Sequence, residues 1–269
     1  MGCDVPGFYL DPVKIVDGKE VMDELLVLRW YQLGIVMPFF RAHAMILCKP
    51  REPWNLGETL LDKIRSLIRT RYRLLPYLYQ VFQDAPLPVL RPLWLHHDQD
   101  DAVAGIEDQF LLGQNIMVKV LADKDSEEVI FPKDSQWKLY DSADQLPGGC
   151  SATTFEGGET KTFPTEGLSR MLIFFRVGSV IPLYTAADVE KALSTEDLVD
   201  AQLEIVPIFD SDNTAITSTL YLDDMKTLAY KKEQKYTKIE THFTIDDHAN
   251  VNGTFTKVHD GLSKLGSSN

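Results

Sequence analysis

Apolar residues recur three and four apart over one long stretch of the chain, then give way to short runs with a strand-like texture. The helical stretch runs from Leu60 to Phe82, with Ile64, Leu67, Ile68, Tyr72, Leu75, Leu78, Tyr79 and Phe82 on one face. Arg71 is the one polar member of that face. Pro76 sits inside the pattern, where its missing N–H predicts a kink or an end to the helix's first half. Upstream, Glu24–Tyr31 predicts a shorter helix, and Gly34–Phe40 a short buried strand broken by Pro38.

From Pro86 the texture is β. Val89–Leu95, Phe110–Leu121, Glu128–Phe131, Trp137–Tyr140, Thr160–Phe163 and Met171–Pro182 are rich in β-branched and aromatic residues. Pro132, Gly148-Gly149 and Gly157-Gly158 punctuate them, which predicts a β-sandwich. A polar helical interlude, Ala186 to Leu198, reads as a linker. A second β series follows at Gln202–Phe209, Ser218–Leu222, Lys235–Ile245 and Val251–Lys257, and the tail from Gly261 reads as frayed. One strand and one apolar-faced helix do not close a core, and four strands are few for a second sandwich. The expectation is a truncated chain whose missing neighbours lie upstream or in another chain.

Composition narrows the function classes. A 269-residue chain with 44% apolar and 10% aromatic content supports real cores, and its formal charge of −13 opposes nucleic-acid or anionic-membrane partners. No apolar run approaches the ~18–20 residues of a membrane span. Cys3, Cys48 and Cys150 fit no zinc or redox spacing; the odd count suits at most one disulfide plus a free thiol, and three buried thiols is the plainer expectation. The start of the chain shows no signal-peptide pattern, and Asn252-Gly253-Thr254 is a glycosylation sequon that matters only in a secretory protein. Asp210-Ser211-Asp212-Asn213 lacks the glycine and bidentate glutamate of a calcium loop, so it reads as a solvated turn. His96-His97-Asp98 lacks further ligands and reads as a strand-end loop. No metal or cofactor is expected.

Two segments carry candidate chemistry. Gly2 to Phe8 and Pro38 to Ala44 each place a titratable or charged side chain beside an aromatic at the end of a strand-like run. In a parallel β/α barrel that is the end where active sites are built. Aromatic faces stack on the C–H surface of a sugar ring, while Asp, Arg and His anchor hydroxyls. The plainer alternative makes His43 a buried structural imidazole and Asp4 a loop cap.

A longer series of motifs bears on that choice. Asp4-Val5-Pro6-Gly7-Phe8, Arg29 to Gly34 (RWYQLG), Pro38 to Ala44 (PFFRAHA), Arg51 to Trp54 (REPW), Ile68 to Tyr77 and Pro88 to Trp94 follow in order. Asp108 to Gly113, Gly178 to Pro182 and Leu220 to Asp224 continue it. The series resembles glycoside hydrolase family 31 over nearly the whole chain, weakening after about residue 230. The RAHA and REPW forms are most similar to its glucosidase II branch, which trims glucose from N-glycans in the endoplasmic reticulum.

The resemblance implies an α/β plus all-β fold. Residues 1–85 would be the last β/α units of a TIM barrel, 86–190 a proximal β-sandwich and 199–269 part of a distal one. It implies an α-glucosidase that retains anomeric configuration, using two carboxylates ~5–5.5 Å apart. The family's nucleophile and acid/base motifs precede the region matched by this chain and neither occurs in it, so no catalytic residue is assigned. By position, Asp4 and His43 match the sugar-anchoring residues, Phe8 the aromatic beside the glucose, and Arg41 an orienting residue of the same loop. Implied partners are an α-glucoside or N-glycan oligosaccharide and a non-catalytic beta subunit, in the lumen of the endoplasmic reticulum. The competing expectation is a non-catalytic carbohydrate-binding or interaction protein derived from the family.

Departures from the family pattern stand beside these matches. Pro6 replaces the usual Gly or Cys, Met225 the Gly after Asp223-Asp224, and Val177 a Gly before Gly178. Residues 11–20 read as an inserted surface hairpin with Asp17-Gly18 as its turn.

Overall fold

The computed structural model describes residues 2–9, 11–84, 86–122, 126–140, 150–165, 171–210, 214–246 and 248–262. Gly148-Gly149, Ser211–Asn213 and the tail beyond Leu262 lie outside them, and with them the turn and fraying expected there.

The chain opens on strand β1 (Gly2–Val5). The inserted hairpin is present: β2 (Val13–Val16) pairs antiparallel with β3 (Lys19–Met22). At its tip Asp17 and Gly18 take positive φ values of 49° and 73°, as a two-residue turn of the primed type needs. Helix α1 (Glu24–Gly34) starts on Asp23, whose carboxylate accepts from the Leu26 N–H. At its other end a Cβ on Gly34 would lie 2.8 Å from the Phe40 ring and 2.9 Å from Val5 Cγ2, so only glycine lets the helix settle there.

Strand β4 (Phe39–Ala42) then pairs in parallel with β1. This corrects the expectation of a buried strand over Gly34–Phe40. The chain turns through residues 35–38, and pairing starts only after Pro38, which has no N–H to give a ladder. Nor is the strand buried. Phe39 is 52% exposed, because α1 covers one face of this two-stranded sheet and no described strand covers the other.

Helix α2 (Glu58–Val81) runs unbroken through Pro76 and buries Leu60, Ile64, Leu67, Leu74, Tyr77, Leu78 and Val81. Arg71, the polar residue on its apolar face, donates to the carbonyls of Ile35 (2.7 Å), Met37 (2.6 Å) and Pro38 (3.0 Å). Its guanidinium also lies 5.3 Å over the Phe40 ring.

The β region forms two facing sheets. In chain order the strands are β5 (Leu90–Pro92), β6 (Gln109–Leu112), β7 (Ile116–Lys119), β8 (Ser126–Ile130), β9 (Trp137–Tyr140), β10 (Cys150–Phe155), β11 (Thr160–Pro164) and β12 (Leu172–Arg176). Six make one antiparallel sheet in the order β10-β9-β12-β7-β6-β5, and β8 pairs with β11 in the second. Both faces of the larger sheet are apolar. Phe174 points towards β8 and β11, where it meets Phe131 and Phe163 and, from β10 of its own sheet, Phe155, with centroids 5.2–5.7 Å away. Ile173 and Phe175, its neighbours, turn the other way into the core that contains Leu74, Tyr77 and Val81 of α2. Strand β10 went unanticipated because Cys-Ser-Ala-Thr-Thr-Phe alternates weakly.

The run Met171–Pro182 is two strands, β12 and β13 (Val180–Tyr184), separated by a turn with Gly178 at φ 80°. Strand β13 pairs with β14 (Leu203–Pro207) across α3 (Ala186–Lys191). The polar interlude between them is helical as expected but is not a free linker: Val189 and Leu198 are buried beside Tyr72 and Leu75 of α2. Beyond it, β15 (Ala215–Leu222), β16 (Thr237–Ile245) and β17 (Val251–Asp260) form an antiparallel sheet, with the short α4 (Ala229–Lys232) between the first two. Val180, Ile216 and Phe243 pack together and join this sheet to β13.

Asp223 fixes the last sheet to α2. It accepts from the Tyr79 hydroxyl at 2.7 and 2.8 Å, from the Tyr221 hydroxyl at 3.0 Å and from the Met225 N–H at 2.7 Å. Burial, and then the carboxylate, push the Tyr79 hydroxyl far above the usual phenol range, so it stays a donor. Met225 adopts φ 53° where the family pattern has Gly, a conformation that glycine reaches without strain. Replacing Tyr79 by Phe should cost about 2 kcal/mol, the scale of a hydrogen bond to a charged group. Urea denaturation would read this as a lower midpoint, and an unshifted midpoint would remove the contact from the stability argument.

His97 gives a pH-dependent term. Burial, then the nearby Arg176 and His96, hold its pKa below the ordinary imidazole value of 6.5, against opposing pulls from Asp100 and Asp134. The unfolded chain therefore binds a proton that the folded chain refuses, and stability falls as pH drops below 6.5. The unfolding midpoint of a His97→Gln variant should depend less steeply on pH in that range; an unchanged slope would assign the acid sensitivity elsewhere.

Candidate functional site

The ends of β1 and β4 bring the sequence-derived candidates together. Cys3, Val5 and Phe40 lie on the helix-covered side: Cys3 Sγ is 3.4 Å from Met37 Sδ, and Val5 is fully buried with Val27 and Tyr31 of α1. Side chains alternate along a strand, so Asp4 and Arg41, register partners in the parallel ladder, share the opposite face. Beyond the strands, the His43 N–H donates to the Val5 carbonyl (3.1 Å) and the Met45 N–H to that of Phe8 (2.9 Å). These two bonds continue the ladder into the loops. Gly7, at φ 106°, donates back to the Asp4 carbonyl (2.7 Å) and turns the chain sharply after Val5-Pro6, whose peptide is cis.

The Phe8 and His43 rings consequently lie 5.3 Å apart at 34°, with Tyr9 edge-on to Phe8 at 4.8 Å. Asp4, Phe8 and His43 are half-buried, whereas Arg41 is exposed. A carboxylate acceptor, an imidazole, a guanidinium donor and an aromatic face thus sit at one end of two adjacent strands. That set can bind a polyol: the charged and polar groups take hydroxyls, and the ring takes the C–H face. The described residues contain no cluster of three or more His, Cys, Asp or Glu that could hold a metal ion. His96 does not join His97 in such a role; its Nε2 pairs with Arg91 at 3.0 Å.

Arg51 and Asp11 were not singled out for this site, yet they brace it. Arg51 is 4% exposed. It donates to the Gly7 carbonyl (2.9 Å) and forms an ion pair with Asp11, which also accepts from the Lys49 N–H (3.0 Å). This clamps the loop after β1 to the chain after β4 from behind. Sequence spacing gave no sign of the pair, since 40 residues separate its members. Arg29 makes a similar long link, from Gln32 (2.9 Å) on its own helix to the Thr165 carbonyl (3.3 Å) beyond β11. The cysteines are free and only half-buried, so full burial is corrected. Burial pushes the Cys150 thiol up to about 12, which keeps it protonated at neutral pH.

Arg51→Met should therefore destabilise the chain by about 2–4 kcal/mol, because Asp11 and the Gly7 carbonyl lose a buried cation. Hydrogen exchange should accelerate first at the bonded amides of Gly7, His43 and Met45. Uniform acceleration across the molecule would show that the clamp is not local.

Comparison with known proteins extends this picture. The TIM-barrel domain of glycosyl hydrolases family 31 matches residues 1–81, and the C-terminal domain of that family matches residues 86–181. Mouse neutral alpha-glucosidase C is 34% identical over 239 residues, covering 87% of this chain and 24% of the relative. Human neutral alpha-glucosidase AB is 32% identical over 238 residues, covering 87% and 23%. The chain thus spans about a quarter of the length of these relatives. Among solved structures, an α3-Glc2-bound glucosidase II alpha subunit superposes with a TM-score of 0.73 at 26% identity, over 97% of this chain and 27% of that one. A Flavobacterium johnsoniae dextranase shares the fold, with a TM-score of 0.77 at 24% identity, over 97% and 30%. Two parallel β/α units followed by packed antiparallel sheets, matched along their length by both domains, place this chain in glycoside hydrolase family 31.

Proposed function

We propose that this chain supplies the glucose-anchoring side of a retaining α-glucosidase of the glucosidase II type. The observation that carries the reading is the convergence of Asp4, Phe8, Arg41 and His43 at one strand end, with Asp4 beside Arg41 and the Phe8 and His43 rings 5.3 Å apart. Asp4 accepts sugar hydroxyls, His43 shares a hydroxyl proton, Phe8 lies against the ring and Arg41 orients the loop. The relatives are named as alpha-glucosidases, and one superposed glucosidase II alpha subunit is described as bound to α3-Glc2.

The carboxylate pair that cleaves the glycosidic bond belongs, in this reading, to protein outside the chain. One carboxylate attacks the anomeric carbon while the other protonates the leaving oxygen. Residues 1–85 are the final barrel units, 86–190 the proximal sandwich and 199–269 part of the distal one. The substrate is the terminal glucose of an N-glycan, the compartment is the lumen of the endoplasmic reticulum, and the partner is a beta subunit. One superposed structure is an ER glucosidase II complex of a catalytic subunit with the binding domain of a regulatory subunit, which supports that assignment.

Purified alone, the chain should not hydrolyse an aryl α-glucoside above the buffer rate. Turnover that His43→Ala abolishes would overturn the proposal. Joined to the family's carboxylate-bearing segment, the protein should be active. In that protein Asp4→Asn should lower kcat/KM at least about 100-fold, or about 2.7 kcal/mol, without moving the unfolding midpoint. A joined protein that binds glucose but never turns over would favour the carbohydrate-binding alternative.

A further inference from the structure

Strand β17 is the longest strand among the described residues. Each of its residues except His259 is exposed, and it forms the outer edge of its sheet, with β16 its only described neighbour. It carries Asn252-Gly253-Thr254, the only Asn-X-Ser/Thr sequence in the chain.

Register fixes where these three residues point. Gly253 pairs with Phe243, which packs inward against Val180 and Ile216. Asn252 and Thr254 pair with Thr244 and His242 and therefore lie on the opposite face. That face is polar: beside them stand Thr256, Glu240, Lys238, Thr217 and Thr219, all exposed. The middle position has its own constraint, since a Cβ on Gly253 would lie 2.7 Å from the Phe243 ring. Both recognition side chains thus project into solvent from a polar surface, and the residue between them is set by packing on the other side.

We infer that Asn252 carries an N-linked oligosaccharide. The inference rests on the lumenal location proposed above. The donor class is an oligosaccharide on a lipid pyrophosphate. The amide nitrogen of Asn252 bonds to the anomeric carbon, the bond from that carbon to the pyrophosphate oxygen breaks, and the amide proton passes to solvent. Thr254 completes recognition by the transferase. The consequence for the fold is protection. An unpaired edge strand invites another strand, and a bulky hydrophilic group at Asn252 hinders that approach along the edge of β17.

The test uses the protein from its own cells. Microsomes are treated with protease to report compartment, and the recovered chain is treated with peptide N-glycosidase in heavy-oxygen water. The expected result is a protease-protected chain whose Asn252 becomes heavy-labelled aspartate, with a one-step gain in mobility lost in both Asn252→Gln and Thr254→Ala. A protected chain with unmodified Asn252 would overturn the glycan while leaving the lumenal reading intact. A chain digested without detergent would overturn both.

Discussion

The guanidinium of Arg71 is the contact on which the candidate site depends. It gathers the carbonyls of Ile35, Met37 and Pro38, all in the short turn between α1 and β4. These carbonyls sit at the negative end of α1, where a cation is favoured by the helix dipole as well as by hydrogen bonding. The face of Phe40 adds to the same attraction. Burial lowers the Arg71 pKa, yet a guanidinium starts so high that it stays charged. With the turn held, β4 pairs with β1 in the register that sets Asp4 beside Arg41. Arg51 then holds the loop beyond β1 to Asp11, so Phe8 and His43 meet.

Helix α2 couples this barrel segment to the rest. Arg71 reaches back to the turn before β4. Arg73 reaches forward to Glu204 on β14 at 2.8 Å, and Tyr77 donates to the Leu112 carbonyl on β6 at 2.8 Å. Tyr79 and Gln80 reach the last sheet through Asp223 and the Thr219 carbonyl. A single amphipathic helix therefore presents a different side chain to each layer. Its polar residues set orientation, while its apolar face supplies the burial.

What was legible in the sequence follows from range. The long helix, the Asp17-Gly18 hairpin and most strands announced themselves through local periodicity or turn chemistry. Arg71 was visible as a misfit on an apolar stripe, although its three acceptors were not. Pairing of β13 with β14 across a polar helix, and of Asp11 with Arg51, depends on residues far apart in sequence, where local pattern carries no information. Strand β10 was lost for the opposite reason: its Ser-Ala-Thr-Thr segment forms part of a sheet edge and has little apolar surface to bury. For the site, ordered motifs placed Asp4, Phe8, Arg41 and His43 at strand ends. Their mutual geometry came only from the register.

The two-sided character of β12 has a consequence for how the molecule comes apart. Phe174 faces the aromatic cluster of the sandwich, while Ile173 and Phe175 face the core containing α2. Neither side can lose its packing without exposing a wall of the other. The barrel segment and the sandwich should therefore melt as one cooperative unit, even though two separate domain descriptions meet between residues 81 and 86. A unit of inheritance need not be a unit of unfolding, and here one strand with two apolar faces merges them.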